Sequence, residues 1–272
     1  MPLSKIQSDV LLAIAKNRNP ESFIAGATPI NKDGPRYSSD IDIFHDREEN
    51  VAASAIADVA VLEQSGFTFE WLRREPGFYS GVAAYEGDAT KLEWARDNDF
   101  RFFPATPDET FGFRLHAFDL ATNKALAAGS RREPRDVLDL ILIDARVIPL
   151  GAVIWAAVAK DPGYSPESLI AEIRRNARYR ADDFTDLRTT SPVDAGEVAR
   201  ALKLALEKAD EFVGAMPIGK EGLAFLRNGA PVQPDPGRLN LFVEHEGRRR
   251  GHWPSSAEIG GAMLDNFRQG DF

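Results

Sequence analysis

Asp40 and Asp42 stand two residues apart in the run Asp40-Ile41-Asp42-Ile43-Phe44-His45. The alternation predicts a strand over Asp40–His45, with Ile41 and Ile43 on one face and Asp40, Asp42 and Phe44 on the other. Two carboxylates on one face repel each other unless positive charge sits between them. A hard divalent cation such as Mg²⁺ fills that role, because it favours carboxylate and phosphate oxygens. The chemistry such a pair serves is metal-assisted phosphoryl transfer, where metal ions bridge phosphates and neutralise developing charge. Taken alone, the pair also fits an edge strand with a solvated charged face.

The neighbouring residues bear on that choice. Gly26-Ala27-Thr28 follows a short apolar strand predicted over Ser22–Ala25. A glycine there lets backbone amides approach a phosphate, and a hydroxyl adds a donor; the same three residues also fit a simple turn. Arg36, Ser38 and Ser39 directly precede the acidic pair, placed to contact phosphate or to pin the loop. Further on, Lys124 is a compact cation suited to a triphosphate. It falls mid-helix among Ala121, Ala125, Ala127 and Ala128, whose small side chains would let a ligand come close. Asp136 opens the next helix, where the helix dipole favours a carboxylate. Its roles would be to orient Lys124 or to activate an attacking hydroxyl. The competing account makes Lys124, Arg135 and Asp136 an interhelix salt-bridge network. Arg174, Arg175, Arg178 and Arg180, beside Tyr179, form either a patch for a nucleic-acid end or a solvated face balanced by Glu167, Glu172 and Asp182. The Arg248–Arg250 run is a weaker patch of the same kind.

The elements that must position these residues can be read from periodicity and turn signals. Helices are expected over Leu3–Asn17, ended by Pro20, and over Arg47–Ser65, capped by Gly66. Strands follow at Phe67–Arg73, Phe78–Tyr85 and Thr90–Ala95, separated by Glu75-Pro76-Gly77 and Glu86-Gly87-Asp88. Short strands are expected at Phe100–Phe103 and Phe111–Leu115. A helix begins near Phe118, and Pro134 suits the first position of the next. From Leu150 the pattern is mainly helical, clearest at Pro166–Tyr179 and Val193–Val213. The order predicts an α+β fold: a small mixed-sheet domain over residues 1–115, then a mainly helical part over 116–272.

Bulk composition excludes several classes. The 272 residues are 43% hydrophobic and 28% charged, as in a globular chain. No apolar run is long enough to span a bilayer, and the N-terminus lacks signal-peptide character, so a cytoplasmic protein without a membrane partner is expected. Cysteine is absent, which excludes disulfides and thiolate metal sites. The four histidines, His45, His116, His245 and His252, have no metal-binding spacing. A net charge of −9 argues against coating nucleic acid over a broad surface.

The stretch Phe23–Thr28, a spacer of a dozen residues and then Asp40-Ile41-Asp42-Ile43 resembles the signature of the DNA polymerase β-like nucleotidyltransferases. Ala27 occupies the small-residue place that is often Gly or Ser, which leaves the backbone role intact. Within that superfamily, Leu115–Leu140 is similar to a block of the AbiEii/AbiGii toxin branch, as is Arg36–Phe44. Asp119, Lys124, Arg131 or Arg132, Arg135, Asp136 and Asp139 fall on its places, and the resemblance covers about residues 20–145. It implies a polymerase β-like core that transfers a nucleotidyl group from an NTP, with one or two Mg²⁺ ions as cofactor. Asp40 and Asp42 would hold metal; Gly26, Ala27, Thr28, Arg36, Ser38 and Ser39 would hold the nucleotide; Lys124 and Asp136 would complete the catalytic set. Asp119 and Asp139 would be structural. The superfamily commonly adds a third carboxylate on a neighbouring strand, for which Glu93 is the choice over Glu70 and Asp97. The toxin branch further implies a cognate antitoxin partner and an acceptor that can be the end of a tRNA. The alternatives are transfer to a small molecule of the antibiotic type, and a non-catalytic NTP-binding relative.

Overall fold

The computed structural model describes residues 2–97 and 100–248. Seven strands form one mixed sheet, in the order β3-β4-β5-β2-β1-β7-β6. They are β1 (Ser22–Ala25), β2 (Asp40–His45), β3 (Thr68–Glu75), β4 (Phe78–Tyr85), β5 (Asp88–Arg96), β6 (Thr106–Asp108) and β7 (Gly112–Arg114). At the centre, β2 runs antiparallel to β1 and parallel to β5. The predicted alternation of β2 holds: Ile41 and Ile43 are fully buried, while Asp40, Asp42 and Phe44 are half-buried on the opposite face.

Two helices cover the Ile41/Ile43 face, α1 (Lys5–Ile14) and α3 (Glu48–Gln64). Ser4 caps α1 in a reciprocal pair with Gln7, which satisfies two otherwise orphaned amides. Ile6, Val10, Leu11 and Ile14 of α1, with Val51, Ala55 and Leu62 of α3, pack on Ile24, Ile41, Ile43, Leu92 and Trp94. Gly26-Ala27-Thr28, which also fitted a simple turn, leads into a single helical turn, α2 (Ala27–Ile30).

The second half is built on α4 (Ala117–Ser130), α5 (Pro134–Arg146), α6 (Leu150–Ala157), α7 (Pro166–Asn176) and α8 (Ala195–Ala215). Pro134 and Pro166 each sit in the first turn, where a missing N–H costs nothing. Every residue of α6 is buried, and it packs among its amphipathic neighbours. A small antiparallel sheet, β8 (Ala224–Arg227), β9 (Ala230–Val232) and β10 (Val243–His245), was not expected from the sequence. Among the described residues, no helix is long and apolar enough to cross a membrane.

Two expected elements differ. Phe100–Phe103 is not a strand: Arg101 makes only an isolated bridge to Arg248, and the Phe102 and Phe103 amides donate to the Asp119 carboxylate at 2.9 Å each. A side chain has taken the donors a ladder would use. Helix α7 stops at Asn176, so Arg178 and Arg180 lie beyond it and do not continue a helical face with Arg174.

Beneath the sheet, the Arg18 guanidinium reaches Asp58 at 2.5 Å with both side chains fully buried. Asp58 also accepts from Trp94 Nε1 at 2.7 Å and from Asn17 at 2.8 Å. Removing the carboxylate leaves a buried cation without its counter-charge. Asp58→Ala is therefore expected to cost about 3–5 kcal/mol in urea unfolding. The double variant Arg18→Met/Asp58→Leu should recover most of that loss; an Asp58→Ala protein as stable as wild type would contradict the account.

Candidate active site

The parallel register of β2 and β5 sets Asp42 opposite Glu93, and the antiparallel register of β1 and β2 sets Ala25 opposite Asp42. Asp40, two residues before Asp42, shares its face. Ligand oxygens of Asp40, Asp42 and Glu93 all lie within 4.8 Å of one another. Glu93 is also ion-paired with Lys91 on the same strand. Of the two rival carboxylates, Asp97 lines the same cleft, and Glu70 lies on β3, separated from β2 by β4 and β5.

Gly26 follows β1 at φ +66°, a backbone conformation that disfavours any side chain. A Cβ there would stand 1.8 Å from Asp42 Oδ2, so only glycine lets the β1 terminus lie against the carboxylate. Ala27 is buried behind it in the first turn of α2.

These residues floor a cleft of about 330 Å³ whose other wall is α4 and the start of α5. Asn123, Lys124, Ala127, Arg131 and Arg135 face it from that side. Lys124 is almost buried, with Nζ 2.9 Å from Asp136 and 3.0 Å from Asp139. An ammonium has three donors, so two carboxylate contacts leave one for the cleft. Asp139 in turn receives Arg36 in a two-pronged contact at 3.0 and 2.8 Å, and Asp136 receives Arg131 at 2.8 and 3.1 Å. Burial opposes the charge on both aspartates, but for Asp136 the bonds to Arg131 and Lys124 outweigh it, and for Asp139 the charges of Lys124 and Arg36 do. Both carboxyls are held below the usual aspartate range.

Asp42 behaves in the opposite way. Burial, reinforced by the charges of Asp40 and Glu93 and only partly offset by Lys124 and Arg135, pushes its pKa up to about 7. Three clustered carboxylates with insufficient positive charge are a donor set that fits a hard divalent cation.

Several expected contacts fall elsewhere. Arg36 is buried on Asp139 and its Nη1 donates to the Tyr37 carbonyl, so it supports Lys124 from behind rather than facing the cleft. Thr28 is fully buried and its hydroxyl donates to the Asp40 carbonyl at 2.9 Å, which leaves it no hydroxyl proton for a phosphate. The Ser38 hydroxyl donates to the same carbonyl at 3.0 Å. Thr28 and Ser38 thus position Asp40. Ser39 is exposed, 3.5 Å from Arg135, outside the lining of this cleft. Asp136 is buried and tied to two cations, an arrangement for holding Lys124 and not for receiving a proton. Of the four alanines around Lys124 only Ala127 lines the cleft; Ala121, Ala125 and Ala128 let the helical core pack closely. Asp119, expected to be structural, accepts from two amides and from Lys160 at 2.8 Å.

Asn123 was not anticipated. Its signal was available: Asn123, Ala127 and Arg131 recur every four residues from one helix turn to the next. In the arginine patch, Arg175 pairs with Glu172, one of the three expected acids, and Arg174 pairs at 2.6 Å with Asp210, which was not among them. Arg249, Arg250 and His252 lie outside the described residues.

No family model matches the chain, and no curated protein matches it. Among solved structures, it is similar to MenT4, a nucleotidyltransferase toxin of Mycobacterium tuberculosis H37Rv, at 16% identity over 78% of this chain and 83% of that one, with a TM-score of 0.48. It is also similar to an H. pylori protein provisionally assigned as a nucleotidyltransferase, at 14% identity over 76% of this chain and 94% of that one, with a TM-score of 0.47.

Two outcomes follow for the carboxylates. An ordinary aspartate titrates near 3.8 and Asp42 near 7, so between these values the folded chain keeps a proton that the unfolded chain has released. Stability tied to Asp42 is therefore lost as pH rises through that window. Asp42→Asn should melt higher than wild type at pH 8, by about 2–4 °C for each kcal/mol relieved. The gap should close towards pH 4; equal melting curves at both pH values would refute the strain. Separately, Gly26→Ala should weaken Mn²⁺ binding about 10- to 100-fold, by calorimetric titration, because the added methyl displaces Asp42. Wild-type affinity in that variant would show that the close approach is unnecessary.

Proposed function

We propose that this chain is a metal-dependent nucleotidyltransferase, moving a nucleoside monophosphate from an NTP to an acceptor hydroxyl. The observation that carries the proposal is the convergence of Asp40, Asp42 and Glu93 within 4.8 Å, in one cleft with Lys124. Asp40, Asp42 and Glu93 would hold Mg²⁺, which when bound supplies charge neutralisation between the carboxylates and the phosphate oxygens. Gly26 and Ala27 present backbone to the phosphates with no side chain in the way. Lys124, stiffened by Asp136 and Asp139, directs its remaining donor at the triphosphate and holds it for in-line attack. Arg131 and Arg135 add positive charge at the same wall. The acceptor oxygen bonds to the α-phosphorus as it loses its proton, and pyrophosphate leaves.

The sheet region, residues 1–115, would act as the catalytic core, with residues 116–272 closing the cleft from the other side. The resemblance of Leu115–Leu140 to the AbiEii/AbiGii block supports placing the chain in the toxin branch, in the cytoplasm. Its acceptor would then be an RNA end such as that of a tRNA, and its partner a cognate antitoxin.

The test is incubation with each labelled NTP, Mg²⁺ and total RNA. Wild type should label an RNA band; Asp42→Ala and Lys124→Ala should reduce the rate by about a thousandfold, since several kcal/mol of charge stabilisation are lost. Labelling that survives Asp42→Ala would sink the proposal. Label that appears on small molecules and on no RNA would keep the enzyme and replace the acceptor.

A further inference from the structure

A second cleft, of about 470 Å³, adjoins the first. Arg135 lines both, and Ser39, which lines the second, is next in sequence to Asp40, which lines the first. A ligand lying in the second cleft therefore has one end beside the carboxylates.

The cleft's outer wall is made by two distant pieces of chain. The Tyr37 amide donates to the Arg188 carbonyl at 2.9 Å, and the Thr190 amide to the Pro35 carbonyl at 2.8 Å. This short antiparallel strap, bridged at Arg36 and Thr189, holds Tyr37 and Arg188 side by side. The Arg188 guanidinium lies 5.3 Å from the centre of the Tyr37 ring. Tyr37 is half-buried and Arg188 is exposed. Arg188 makes no ion pair with a carboxylate among the described residues within 4.0 Å. An aromatic ring with a guanidinium over it is a flat surface on which a nucleobase stacks, whatever its identity.

The charge along this cleft narrows the ligand class. Arg135 and Arg188 are the cations free of buried partners; Glu133 and Asp186 also border it, with Glu133 3.5 Å from Arg135. Arg188, exposed, and Arg135, half-buried, give one or two phosphates a cation each to meet, while Glu133 and Asp186 keep the cleft from attracting a denser anion. A duplex, with its dense phosphates, would demand a wider basic surface than this chain of net charge −9 offers. Ser38 and Ser39, which follow Tyr37 in the chain and lead to Asp40, also line the cleft.

We infer that this second cleft is the acceptor site, and that Tyr37 and Arg188 hold the single-stranded end of a polynucleotide whose terminal hydroxyl reaches the carboxylates past Arg135. The inference rests on the nucleotidyl-transfer proposal for what happens to that hydroxyl, but the cleft binds its ligand independently of transfer. Tyr37 and Arg188 act as binding and positioning residues, and neither lines the cleft of the carboxylates.

The test compares the full chain with Tyr37→Leu, at a half-buried position, and Arg188→Ala, at an exposed one; thermal melting checks that both fold. Binding of fluorescent single-stranded oligonucleotides, RNA and DNA in separate arms, is followed by anisotropy at low salt. Each substitution should weaken binding about tenfold. Each should raise the KM for the oligonucleotide in the labelling assay by a similar factor, with the KM for NTP within about twofold of wild type. Oligonucleotide binding unchanged in both variants would overturn the inference. So would a parallel loss of NTP affinity, which would give the cleft to the nucleotide's base. If wild type binds the oligonucleotide but transfers nothing, the transfer proposal fails and the cleft stands. If it transfers to a small molecule and binds neither oligonucleotide, the cleft assignment fails and the transfer proposal stands.

Discussion

The parallel pairing of β2 with β5 forces Asp42 and Glu93 side by side with Asp40, and most of the surrounding structure answers that repulsion. The register cannot relax to separate them. A slip by one residue would carry Ile41 and Ile43 out of the core and put the aspartates into it. The hydrophobic face of β2, packed under α1 and α3, thus fixes the position of charges on its other face. Gly26 closes the arrangement from the β1 side, where any side chain would strike Asp42. The raised pKa of Asp42 reflects its burial first, and then the repulsion from Asp40 and Glu93 that the chain's own cations leave uncancelled.

Opposite the carboxylates, charge is arranged by alternation. Arg36, Asp139, Lys124, Asp136 and Arg131 form a chain in which each aspartate lies between two cations. Two aspartates give the buried Lys124 ammonium its counter-charge and fix where it points. Because Arg36 arrives from the loop before β2, the same chain fastens the sheet to α4 and α5. The two accounts that the sequence left open for Lys124, network or ligand contact, are therefore not exclusive: the network lies behind it and the cleft in front.

Legibility in the sequence followed the range of the forces involved. Strands β1, β2 and β4 were readable residue for residue, because alternation and flanking turns are local. Asp40, Asp42 and Glu93 were found from strand periodicity and a resemblance, and the structure brings all three together. What failed were assignments that depend on distant partners. Arg36 looked like a phosphate contact because it precedes the acidic pair, but its charge is taken by Asp139, more than a hundred residues away. Phe100–Phe103 had the composition of a strand, and Asp119 took its donors. Three of the four alanines around Lys124, Ala121, Ala125 and Ala128, are small for the sake of helix packing, a cause that looks the same in sequence as an open ligand wall.

The balance of charge in the cleft constrains how it could work. Asp40, Asp42, Glu93 and Asp97 line it against Lys124, Arg131 and Arg135, and two of those cations already serve the buried aspartates. Without added positive charge such a cleft repels a triphosphate. With a divalent cation between the carboxylates the sign of the local field reverses on that side, and the phosphates then meet positive charge on both walls. In the proposed reaction cation and nucleotide would therefore favour each other's binding, and a proton on Asp42 would compete with both. An overall charge of −9 adds to the repulsion at long range, so attraction must come from groups within a few ångströms of the phosphates. That is the reason to expect recognition here by a few placed side chains instead of a broad basic surface, whichever acceptor the neighbouring cleft receives.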